Sequence, residues 1–150
     1  MVEKALRLSE PTILAILQEE GLTWGPKWVV VYIQWPGCLS RHIAQFGSKE
    51  GWQPLDWGAL DKYFNIAGRK LEVVMREKCP TSVIVATKPW VLQKDEFLYS
   101  GGDYCEGIGV VASGARGRTD EAISRVVTTN IKLLAYLESE RRIREELYKI

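Results

Sequence analysis

The sequence predicts an α+β fold in which an antiparallel sheet is flanked by helices, and three observations carry that prediction. The predicted elements run helix, two strands, helix, three strands, helix, so strands come in runs joined by short turns instead of alternating with helices. Lys27–Trp35 (KWVVVYIQW) is β-branched and aromatic with no breaker inside, the pattern of a strand buried on both faces. Two later segments, 56–78 and 120–140, repeat apolar residues at three- and four-residue steps and so present one apolar face each. The chain's 150 residues suffice for one domain with its own core, and no repeat or linker divides them. A single domain over 1–150 is expected.

Residues 9–20 read as the first helix, with Ser9 as N-cap, Pro11 in the first turn and Gly21 as the stop. Ala5, Leu6 and Leu8 extend or abut it. The strand through Lys27–Trp35 ends at the turn Pro36-Gly37, and the alternating stretch Cys38–Phe46 reads as the return leg of a hairpin. A loop over Gly47–Pro54 leads to Asp56, a cap for a helix reaching Lys78 with Leu60, Phe64, Ala67, Leu71, Val74 and Met75 on its apolar face. After Pro80, TSVIVATKPW reads as a strand, Asp95–Tyr99 as a short one, and YCEGIGVVASG as a strand interrupted by Gly107 and Gly109. Thr119 or Asp120 caps the last helix, whose inward residues are expected to be Ala122, Ile123, Val126, Val127, Leu134 and Leu137.

Composition narrows the function classes. Twenty basic and nineteen acidic residues leave a net charge of +1, without the basic excess that a general nucleic-acid binder needs. Hydrophobic residues are 46% and charged residues 26% of the chain, which excludes a disordered or collagen-like protein. Cys38, Cys79 and Cys105 form no Cys-x-x-Cys pair and read as reduced thiols. The N-terminal segment carries Glu3, Glu10, Glu19 and Glu20, unlike a secretory signal, and no stretch reaches the apolar length of a membrane span. A cytoplasmic protein with no membrane and no nucleic-acid partner is expected.

The informative stretch is Tyr99–Arg125. It holds Gly101-Gly102, then Gly107-Ile108-Gly109-Val110 with Ser113-Gly114, then Asp120-Glu121-Ala122 at a helix start. In these residues, and in its order of elements, the chain resembles the GlcG/HbpS-type haem-binding family, which includes the C-terminal part of the PduO-type cobalamin adenosyltransferases. The first hairpin departs from it, with Gln34-Trp35-Pro36-Gly37 where the family usually carries Asp-Ala-Gly-Gly. The resemblance implies a profilin-like fold, a homo-oligomer, and a domain that binds haem or a corrinoid. Two other readings stand beside it: a cofactor-free oligomeric scaffold or sensor, and an enzyme acting on a small carboxylic acid.

Two places carry candidate chemistry. His42 is the single histidine, which excludes a multi-histidine zinc site. It is either the axial ligand of a bound haem or an ordinary strand histidine near a turn. Arg116 and Arg118 precede Thr119 at a helix N-terminus, where backbone N–H groups favour anions, and Gly101 and Gly102 allow close backbone approach. That corner reads as a site for a carboxylate, phosphate or haem propionate, or as a solvated turn with an internal ion-pair network. The tryptophans, six in number, fall mostly at element edges and suit either an interface, a ring-stacking pocket or the core. The charged tail of the last helix reads either as a solvated helix face or, through Ile143 and Leu147, as a surface that packs on a partner helix.

Overall fold

A computed structural model describes residues 1–20, 28–38, 40–48, 57–94, 96 and 100–149. In chain order its elements are α1 (Val2–Glu20), β1 (Trp28–Gln34), β2 (His42–Gly47), α2 (Trp57–Glu77), α3 (Thr81–Thr87), a 3-10 turn (Pro89–Val91), β3 (Gly102–Cys105), β4 (Ile108–Ser113) and α4 (Gly117–Leu147). The sheet has four strands in the order β2-β1-β4-β3, every pairing antiparallel. The α+β architecture is therefore as the sequence predicts, with β1 in the sheet's interior.

Strand β1 explains the layering. Its side chains alternate between faces, and both faces are covered. Val29, Val31 and Ile33 pack with α1 and α4 through Ile13, Leu17, Ile123 and Val127. Trp28, Val30 and Tyr32 pack with α2 through Ala67, Leu71 and Val74. Trp28 is thus a core residue, 1% exposed, with Tyr63 and Phe64 tilted against its ring.

The first helix begins at Val2, well before Ser9. Ala5, Ser9, Ile13 and Leu17 form a buried row at four-residue steps, and burying that row outweighs the local start signal. Ser9 is fully buried inside the helix, donating to Ala5 O at 2.8 Å and accepting from Asn130 Nδ2 at 2.9 Å. Pro11 lies inside the helix, on its exposed side. Asp56 and most of the 47–54 loop lie outside the described residues.

TSVIVATKPW is not a strand. Thr81–Thr87 is helical, because Thr81 and Ile84, one turn apart, are the two buried residues, and burial overrides β propensity. Its Thr81 hydroxyl accepts the Gly102 N–H at 2.9 Å, satisfying the edge of β3 where a further strand would sit. Most of Asp95–Tyr99 falls outside the described residues. The glycine-interrupted segment is two strands, not one: Glu106 and Gly107, at φ 52 and 90, form a two-residue hairpin turn.

Helix α4 begins at Gly117, with Arg116 as an extended N-cap. Asp120 lies in its first turn, and its Oδ1 accepts the Ala115 N–H at 3.0 Å. The inward row is Ile123, Val127 and Ile131, with Val126 and Leu134 half-buried; Ala122 and Leu137 point outward. Ala122 lies more than a quarter turn off that row, whereas Leu137 stands nearer to it but beyond Ile131, the last buried residue of the helix.

Candidate functional site

The two groups of candidate residues lie at opposite ends of the sheet. His42 pairs with Ile33, next to Gln34, which faces Gly109. The arginine corner follows Ser113, at the end of β4 that pairs with Val30. From Ile108 to Ser113 the strand advances five residue steps, roughly 17 Å at about 3.4 Å per residue.

At the His42 end, the strands and helices α1 and α4 leave a cleft of about 560 Å³. His42 falls on the α1/α4 face of β2 because it alternates in phase with Ala44 and Phe46, both of which pack into that core. Trp35 and Pro36 come from the turn after β1, Ile108 from the start of β4, and Ile131 and Ala135 from α4. Val2 closes the far wall, and Glu3 and Glu106 add carboxylates. The lining is mainly apolar with a few polar groups, the composition of a small-molecule pocket. His42 itself is half-buried.

At the other end, the glycines serve the protein's own packing. A Cβ on Gly101, whose φ is +143, would stand 2.3 Å from Lys70 Nζ and 3.0 Å from Ala112 O. A Cβ on Gly102 would stand 2.6 Å from Val74 and 2.7 Å from Val111. Gly101 and Gly102 thus make close approaches to side chains of α2 and β4. Lys70 Nζ sits 3.3 Å from Asp120 Oδ2 and 3.2 Å from Ala112 O. Burial pushes the Lys70 ammonium below its ordinary range, and Asp120 opposes that shift.

Arg116 and Arg118 are exposed and Thr119 is half-buried in the first turn of α4. Arg118 lines a second, shallower cleft of about 330 Å³ with Ser82, Ser100, Glu121, Ala122 and Arg125. Glu121 is buried there, bonded through Oε1 to Ser82 Oγ at 2.7 Å and Arg125 Nη2 at 2.5 Å. Arg116 and Thr119 are not among this cleft's lining residues.

Sequence reasoning missed Lys70 and the walls of the His42 cleft. Lys70 had a signal: it falls on the apolar stripe of α2, three residues after Ala67 and four before Val74. The cleft had none, since it joins residues from both termini and two turns. Cys105 is half-buried and accepts from Lys132 Nζ at 3.1 Å. Among the described residues no group of three or more His, Cys, Asp or Glu side chains is arranged to hold a metal ion, and no helix is long and apolar enough to cross a membrane. Compared with protein-family models, curated proteins and solved structures, the chain finds no match.

Proposed function

We propose that this chain is a small-molecule-binding domain whose site is the cleft beside His42. The observation that carries the reading is the cleft itself: about 560 Å³, walled by Trp35, Pro36, Ile108 and Ile131, with one imidazole in its wall. Such a lining suits a flat, largely apolar ligand. Haem is the first candidate and a corrinoid the second, as the resemblance to the GlcG/HbpS type implies. The donor set fits haem, because an imidazole nitrogen among apolar side chains is a common haem environment. His42 would hold the iron, while Trp35 and the isoleucines would bury the ring and exclude water. A bound haem would supply redox or gas-binding chemistry.

Absorption spectroscopy tests this directly. Protein titrated with haem should develop a saturable Soret band, and His42→Ala should shift or abolish it. A cytoplasmic, oligomeric protein without nucleic-acid partners completes the reading.

A second reading rests on the cleft at the start of α4. Arg118 and Arg125 flank the N-terminal turns of a long helix, which favours a small carboxylate there. The chain would then be an enzyme or sensor for a small acid. Calorimetry with simple carboxylates against Arg118→Ala separates this reading from the first.

A further inference from the structure

The second half of α4 changes the polarity of its faces. Ile123, Val127, Ile131 and Leu134 form the row that packs on the body of the protein. Continued along the helix, the same row meets Glu138, Arg141, Arg142 and Glu145. These four are ion-paired to one another: Arg141 with Glu138 at 2.8 Å, Arg142 with Glu138 at 2.9 Å, and Arg141 with Glu145. Every residue from Arg141 to Lys149 is exposed, so this part of α4 has left the sheet and α1 behind. The side that would face a core is charged because no core lies beneath it.

The opposite side is apolar. Leu133, Tyr136, Glu140, Ile143 and Leu147 alternate three- and four-residue steps, the spacing of a two-helix seam. Leu137 lies beside them. Leu133, Tyr136, Leu137, Ile143 and Leu147 are 48%, 60%, 49%, 54% and 65% exposed. Among the described residues nothing covers this stripe, and a row of large apolar side chains at seam spacing marks a docking face.

We propose that the stripe pairs two copies of this chain through antiparallel α4 helices. The charges beside it choose the occupant and the direction. Lys132, Ser139 and Glu146 stand seven residues apart along one edge of the stripe. Reversing a second copy sets Lys132 against the partner's Glu146, and symmetry repeats the pair. The same register sets Leu133 against the partner's Ile143, and Tyr136 against the partner's Glu140. A parallel pair would instead set this edge against the partner's Leu137 and the partner's Arg144, where Lys132 meets no carboxylate. Glu140 is the one polar member of the seam; it accepts the Tyr136 hydroxyl at 2.7 Å. A single polar seam residue fixes register at some expense of stability.

Sedimentation equilibrium on the full chain tests the proposal. At micromolar concentration the wild type should run at twice its 17.0 kDa chain mass. Leu137→Glu with Ile143→Glu should run as a folded monomer, with unchanged circular dichroism. Lys132→Glu and Glu146→Lys should each weaken the dimer at least tenfold, and the double exchange should restore it. Lys132 also bonds Cys105 and Glu106 within its own chain, and Glu146→Lys would not repair those contacts. A monomeric wild type, a dimer that survives the seam substitutions, or failure of the double exchange would each overturn the proposal.

Discussion

Lys70 and Asp120 form an ion pair, 3.3 Å apart, with side chains only 4% and 3% exposed. The pair ties α2, on one face of the sheet, to the first turn of α4, on the other, around the end of β4 at Ala112. It also explains Gly101, whose missing side chain makes room for the ammonium. This end of the sheet carries a buried clasp between its two helix layers.

Breaking the clasp on one side leaves a buried charge alone. Lys70→Met is expected to lower stability by about 3–5 kcal/mol in urea unfolding at neutral pH. Adding Asp120→Asn should recover much of the loss, since the amide oxygen still accepts the Ala115 N–H. Equal loss in the single and double variants would contradict this account.

The same lysine sets a pH dependence. Burial lowers its pKa in the folded protein below the ordinary 10.5. Between that lowered value and 10.5 the unfolded chain holds more protons than the folded one, so stability is expected to rise with pH in that window. Comparing denaturation midpoints of wild type and Lys70→Met across alkaline pH checks it: the variant should lack this contribution.

Gly101→Ala should be destabilising for two reasons. Its φ of +143 is unfavourable to a side chain, and the new methyl would press on Lys70 Nζ and Ala112 O. A loss of about 1–3 kcal/mol is expected from strain alone. A wild-type thermal midpoint would show that the clasp yields easily.

The ionic row on α4 is acid-sensitive. Arg141 and Arg142 hold the Glu138 carboxyl down to about 2 from an ordinary 4.5. Its contribution is therefore present above 4.5 and is lost as pH falls toward 2. Amide protection factors over residues 136–147, relative to intrinsic exchange at each pH, should fall across that interval, and Glu138→Gln should show the lower protection already at neutral pH.

The sheet's core strand was legible because a run such as WVVVYIQ has no polar face to expose and so must be covered twice. The hairpin and both long helices were legible for similar reasons of period and punctuation. TSVIVAT misled because its β-branched residues suit a strand, whereas tertiary contact placed only Thr81 and Ile84 inside. His42 was visible as the single histidine, but its cleft is assembled from Val2, Trp35, Ile108 and Ile131, far apart in sequence. Arg118 and Glu121 were visible around the helix start, while Arg125 joined them only once α4 was seen to begin at Gly117.

The most direct test of the central claim is a haem titration followed in the Soret region, run in parallel on wild type and His42→Ala. The account predicts one saturable site in the wild type and a shifted or absent band in the variant, with both proteins equally folded. A wild type that develops no band, or a variant whose band and affinity match the wild type, would contradict haem binding at the His42 cleft.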